Sequence, residues 1–387
     1  MRFPSGLGLI LTLAGSLLAS GCRERQPLTT PEAPPFVFRA LDLNQRAQDG
    51  SRDWDLTSPE ARYDLNSRTI RARRPTGILY RDDKPAFSIS ADLATVLNDG
   101  ELVVLEGAVQ LKQLQEESVL IQGNRLVWTP EQSTMVLSDK PEAVNQDSRL
   151  VAQSLTFQQT TSQLVFSGPT VLYRWQKQRS LETEPDTSIV AANGQWNLET
   201  GQLTAEGPIK AERQSGRQLT ATGLRGNTKS SLIELSAPVQ VTLEEGQGTV
   251  TAGPTRWQYA KKQLSSSAPF VAELRQGSVR GGGFTINEAT TTVIIPQDCR
   301  LNQPGEVLTA ARCSWNWTLE RVIADGDVVL RRDELNQVTR AARLEGFVGD
   351  DGSLQFGAPG QRVRSQIKLN QDPAGSSQGK RSPAVSF

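Results

Sequence analysis

From Trp54 onward, apolar and polar residues alternate at period two, the pattern of strands with one buried face. One phase carries Val103, Leu105, Val109 and Leu111, then Leu126, Trp128, Met135 and Leu137, then Leu155, Phe157, Leu164 and Phe166. The same phase resumes at Trp196, Leu198 and Leu203 and runs on through Ile233, Trp257, Phe284, Ile286 and Trp315. The stretch Ala91–Gln110 shows the unit: strand, tight turn, strand. A small residue with its partner five places on marks each copy, as in Ala91/Val96, Gly123/Trp128, Ala152/Phe157, Ala191/Trp196, Ala252/Trp257 and Ala310/Trp315. The copies follow one another at 29 to 32 residues, with a single interval of 39. Corners such as Gly107–Val109, Gly168–Pro169, Gly207–Pro208 and Gly326–Val328 break up the units. A period near 30 with no sustained helical pattern predicts an all-β repeat array.

The interval of 39 falls across Arg174–Ser188, which reads as either a long loop or a junction between two halves. The expected organisation is therefore a first half over 49–187 and a second over 188–369. Residues 370–387 are poor in apolar residues and read as a disordered tail. Residues 23–48, with Pro27, Pro31, Pro34 and Pro35, read as a flexible tether. Residues 1–22 have Arg2, a short apolar run from Leu7 to Leu18, then small residues and Cys22, the layout of a secretory leader. The ending Leu18-Ala19-Ser20-Gly21-Cys22 resembles a bacterial lipobox, with lipidation at Cys22; the alternatives are an uncleaved anchor, although the apolar run is short for a span of ~20 residues, and plain cleavage of the leader.

Composition narrows the chemistry. Lys+Arg and Asp+Glu are 42 each, so the formal net charge is zero and no basic footprint for nucleic acid exists. Histidine is absent, which removes the commonest general base and metal ligand. No catalytic residue, metal site or cofactor is expected. The acidic doublets Asp82/Asp83, Glu116/Glu117, Glu244/Glu245 and Asp350/Asp351 lie in turn-like stretches, where neighbours on an extended chain face opposite ways. Gly281-Gly282-Gly283 is followed by neither Lys-Ser/Thr nor a helix, so it reads as a bend rather than a phosphate loop. Asn316-Trp317-Thr318 fits a glycosylation sequon and carries little weight. If Cys22 is lipidated, Cys299 and Cys313 remain as a pair that an oxidising compartment would allow to bridge; two buried thiols is the alternative.

The aromatic series Trp128, Phe157, Trp196, Trp257 and Trp315 has two readings. The plainer one is core packing between two sheets. The other is that the sheets are splayed and these side chains line an apolar groove, in which acyl chains would gain ~0.8 kcal/mol per buried methylene.

Taken together, the N-terminal anchor, Leu65-Asn66-Ser67-Arg68-Thr69-Ile70, Leu105-Glu106-Gly107-Ala108-Val109 and Gly326-Asp327-Val328-Val329-Leu330 resemble the LptC/LptA (OstA-like) family of lipopolysaccharide-transport proteins. The resemblance spans roughly Trp54–Val348 and rests on hydrophobicity and glycines. It implies an elongated, twisted open β-jellyroll holding lipid acyl chains, non-enzymatic and tethered in the periplasm. Implied partners are lipopolysaccharide or a similar amphiphile, membrane subunits of an ABC transporter and another periplasmic β-jellyroll bridge protein, docked through open edge strands near Ile70 and near Leu354 and Val363. The chain is about twice the length of a single-jellyroll member, and its lipobox departs from the family's transmembrane anchor; the inner membrane is the favoured site of tethering. The expected lipid-binding residues are Val103, Leu105, Leu126, Trp128, Leu155, Phe157, Phe166, Trp196 and Trp257, and Phe157→Asp is expected to abolish lipid capture. The rival readings are a surface structural or adhesive β-solenoid with a dry core, and a carboxylate-using β-helical enzyme. The second is opposed by acidic residues that do not recur at a fixed repeat position.

Overall fold

The computed structural model describes residues 36–47, 49–114, 118–180, 182–347, 354–357, 360 and 362–367. By its contacts the chain divides into Met1–Pro34 and Pro35–Phe387. The first unit, and with it the leader, the lipobox and Cys22, lies outside the described residues, as does the tail 370–387.

The described residues of the second unit form an all-β array of two antiparallel sheets. Sheet I begins with Phe36–Phe38 against Glu60–Asp64 and continues through Thr69–Arg73 and Leu93–Leu97 to Leu354–Phe356. Sheet II begins with Leu41–Arg46 against Arg52–Ser58 and continues through Thr76–Arg81 and Lys84–Ser90 to Arg364–Ile367. In both sheets the spatial order of the strands is their order along the chain, because successive hairpins alternate between the sheets. Side chains of one phase from each sheet meet in the space between.

Long strands serve both sheets. Leu102–Gln113 pairs through Leu102–Glu106 in sheet I and through Gln110–Gln113 in sheet II. Gln163–Arg174, Gln202–Arg213 and Arg321–Arg332 cross in the same way, and a register shift marks each crossing. The corner needs backbone that L-residues seldom adopt, and glycine supplies it: Gly107, Gly168 and Gly326 have φ of 76°, 77° and 77°. The neighbouring hairpin is tied on at the same corner, with Asp92 N–H donating to Gly107 O at 2.9 Å and Ala311 N–H to Gly326 O at 2.7 Å.

Four of the free ends of the sheet I hairpins share one recurring device, while three others, at 98–100, 130–132 and 259–261, close with a short 3-10 turn. Oδ1 of Asn197 accepts from the backbone N–H groups of Glu199 and Thr200, and Asn287 and Asn316 do the same two and three residues on. Asp64 takes this role in the first unit, and the N–H groups of Ser67 and Asn66 hold its carboxyl below the usual range. These are Asx turns, set by side chains short enough to fold back on their own backbone. Asn316, the sequon asparagine, is one of these turn caps.

Two expectations need correction, and one open alternative is decided. Strands begin at Phe36, inside the stretch read as a tether, because the prolines of 27–35 obscured the short alternation of Phe36–Phe38 and Leu41–Leu43. The strand holding Ile70 is therefore no edge; it lies between Glu60–Asp64 and Leu93–Leu97. The ladder also runs unbroken through the interval of 39, with Leu172 opposite Ile189 and Tyr173 opposite Ser188. The extra residues form a loop at the margin of sheet II, anchored by buried Trp175, whose indole N–H donates to Thr183 O at 3.0 Å.

Candidate functional site

The space between the sheets is filled in one part of the array and open in another. In the earlier part, large side chains from both sheets interlock. Trp54 of sheet II meets Trp128 of sheet I at 5.1 Å between ring centroids, and Phe87 meets Phe157 at 4.9 Å, both edge to face. Such pairs add ~0.5–1.5 kcal/mol beyond their area burial. Of the nine residues the sequence singled out for lipid contact, Val103, Leu105, Leu126, Trp128, Leu155, Phe157 and Phe166 are all at most 2% exposed in this packed core. Trp196 and Trp257 are partly buried against the same cluster, Trp257 edge to face with Tyr259.

Along the side opposite the corners, the hairpin ends of the two sheets face each other across a mouth. Over the packed part it is latched. Arg81 of sheet II donates to Glu199 of sheet I at 2.8 Å and also to the carbonyl of Gln159. The Gln159 amide donates in turn to Asp53 at 3.2 Å. Burial in this latch raises the Asp53 carboxyl above its ordinary range, only partly offset by the Gln159 hydrogen bond.

Further along, a second core cluster runs from Ala252 to Leu344, and here the sheets enclose a cavity of about 720 Å³. Its walls are apolar: Val250, Ala272 and Val279 of sheet II face Ile286, Val293 and Trp315 of sheet I. Phe270 and Phe284 meet across the sheets at 5.2 Å. Cys299 of sheet II and Cys313 of sheet I form a disulfide with Cα atoms 5.9 Å apart, and Cys313 lines the cavity. The rim is charged. Arg213 donates to Glu288 at 2.7 Å, and Arg217 lies 3.5 Å from both Glu288 and Glu244. The buried Nε1 of Trp315 has no partner among the described residues.

A second cavity of about 740 Å³ opens where Trp196 and Tyr259 come to the mouth, with Leu150, Leu172, Leu198 and Leu203 on its floor. Arg174 lies over the Tyr259 ring at 3.8 Å and pairs with Asp147 at 2.8 Å.

Trp196 is thus the one expected site residue that borders a cavity, the second of the two; none of the nine lines the first. The reason is volume. Where aromatics from the two sheets meet in pairs, as Trp54–Trp128 and Phe87–Phe157 do, the space between sheets about 10 Å apart is filled; the void has aromatics in its wall too, but opens beside the small inward residues Ala272, Val279 and Val293. Small inward residues in correct phase, such as Ala272 and Val293, were the signal to follow. Among the described residues no cluster of carboxylates, cysteines or histidines could hold a metal, and no helix is long and apolar enough to cross a membrane.

Residues 7–141, about a third of the chain, match the family model described as lipopolysaccharide-assembly, LptC-related. Among solved structures, the chain is similar to LptH of Pseudomonas aeruginosa, described as the LptA-homologous periplasmic component of the conserved lipopolysaccharide transport device. That similarity is at 12% identity, over 28% of this chain and 76% of that one, with a TM-score of 0.24. Comparison with curated proteins finds no match.

Proposed function

We propose that this chain is a non-enzymatic periplasmic component of lipopolysaccharide export that shelters acyl chains between its two sheets. The observation that carries the reading is the apolar cavity between Ala272, Val279 and Val293, open along one margin and large enough for hydrocarbon chains. The match of residues 7–141 to LptC-related proteins supports it. On this reading Cys22 or the leader tethers the chain to the inner membrane. An ABC transporter supplies the lipid and the energy, and the terminal strands Phe36–Phe38, Leu41–Arg46, Leu354–Phe356 and Arg364–Ile367 present the edges that pair with partners. The packed residues Val103, Leu105, Leu126, Trp128, Leu155, Phe157 and Phe166 contact lipid only when the Arg81–Glu199 latch opens and the sheets part.

The test uses neighbours on one strand. Val293 faces the cavity while Ile294 is 45% exposed on the outer face. A photo-crosslinker at 293 is expected to capture lipopolysaccharide in cells, and one at 294 is not. Ala272→Trp should fill the void and deplete the adduct while leaving the protein folded. Equal adducts at both positions, or none at 293, overturn the conduit. The second outcome favours a structural protein with a dry core, a reading supported by the tight packing around Trp128 and Phe157.

A further inference from the structure

The second cavity differs from the first in its charge. Lys112, Arg174 and Arg179 reach its rim from the sheet II side, and Lys229 from the sheet I side. Asp147 is the one carboxylate among its described lining residues, and it is paired with Arg174. Lys112, Arg179 and Lys229 have no ion-pair partner among the described residues. The rim of the first cavity is the reverse: Arg213 and Arg217 stand against Asp186, Glu244 and Glu288. Among the described residues, net positive charge therefore gathers at one point of the mouth, on a chain whose formal charge is zero.

Two further features point inward. Nε of Arg179 and Nε1 of Trp196 are buried donors with no acceptor among the described residues, and both residues line this cavity. Buried donors are normally satisfied, so each leaves room for an acceptor from outside the chain. The 39-residue interval now has a role, because the loop after Trp175 brings Arg179 to this rim. Guanidinium forks and ammonium groups converging from two sides suit a multiply charged tetrahedral oxyanion better than a single carboxylate. Below them the floor of leucines and Trp196 is apolar.

We infer that the cavity bounded by Lys112, Arg174, Arg179 and Lys229 is a headgroup site for a phosphate-bearing amphiphile, with phosphate at the rim and hydrocarbon on the leucine floor. The inference rests on the lipid-carrying reading above and adds to it the anionic group by which the lipid is held. Phosphate oxygens accept from the arginine and lysine donors, and carbonyl groups nearer the chains lie within reach of the Trp196 indole.

The test compares the full chain with the triple variant Lys112→Gln/Arg179→Gln/Lys229→Gln, none of whose replaced groups is ion-paired among the described residues. Binding of dodecyl phosphate, dodecyl maltoside and inorganic phosphate is measured below micellar concentrations. The variant is expected to bind dodecyl phosphate roughly tenfold or more weakly, the gap narrowing as salt is raised, with dodecyl maltoside unchanged. Undiminished binding of dodecyl phosphate overturns the headgroup site. So does inorganic phosphate binding as tightly as dodecyl phosphate, which marks a free-anion site instead. The photo-crosslink at 293 is scored separately. A lipid adduct there, with no effect of the triple variant on dodecyl phosphate, removes the headgroup site and leaves the conduit standing.

Discussion

Asp53 shows how the mouth sets the properties of a single group. Its carboxyl is drawn into the latch with Gln159 and Arg81, and burial raises its proton affinity. The folded state thus holds the Asp53 proton more tightly than the unfolded chain does. Ionised Asp53 costs stability above its folded pKa, and the cost fades as pH falls through that value toward the unfolded one of about 4. Asp53→Asn keeps an oxygen for the Gln159 amide. It is expected to raise Tm slightly near neutral pH, the two melting curves converging in acid; a lower Tm at neutral pH would show that the charge itself holds the latch. Phe157 makes the complementary point. Its inward phase could be read from the alternation, but whether it faces lipid or another ring depends on Phe87, 70 positions away and on the other sheet. A carboxylate at 157 would be an unpaired buried charge and would unfold the region, so loss of lipid capture in Phe157→Asp would report stability rather than contact.

At the level of strands and corners, local chemistry was readable because it is local. Glycines at 107, 168 and 326 stand where the crossing strands need positive φ, and the asparagines at hairpin ends need only their own backbone. The latches could not be read. Arg81 and Glu199 lie 118 residues apart and Arg213 and Glu288 lie 75, and these partners are chosen by the twist of one sheet against the other. The corners give a direct test. A Cβ on Gly168 would lie 2.3 Å from Oε1 and 2.5 Å from Cβ of Gln153, on a backbone with φ of 77°. Gly168→Ala is expected to cost about 1–3 kcal/mol by urea unfolding. Gly246→Ala, at φ of 67° with nothing within 4 Å of the added atom, should cost about 1 kcal/mol. Equal costs would mean that the corner tolerates a side chain and that the fit against Gln153 is not what selects glycine.

Over the described residues from Phe36 to Ile367, the ladder is continuous while the interior is not: one core cluster ends at Val239 and the next begins at Ala252. The all-β repeat was legible in the period of about 30. The place where the interior opens was not, because it depends on volumes summed from both sheets. The disulfide sits beside that opening and joins sheet II to sheet I. Closing a loop across 14 residues is worth roughly 3 kcal/mol in the chain-entropy model, so Cys299→Ser/Cys313→Ser should lower unfolding free energy by about that amount. Reductant should lower the Tm of the native chain and leave that of the double variant unchanged. A native chain indifferent to reductant would show that the packing of Phe270 on Phe284 holds the sheets without the bridge.

The matching of strand order to chain order has a consequence for how the molecule comes into being. Each strand finds its ladder partners among segments a few tens of residues away, as Phe36–Phe38 does with Glu60–Asp64 and Arg321–Arg332 does with Gln337–Phe347. A chain delivered one end first can therefore lay down finished structure behind its advancing end, as one-dimensional arrays do, without waiting for its C-terminus. The latches, with their long sequence separations, can close only afterwards. A half-delivered chain would be a jellyroll with its seam still unfastened.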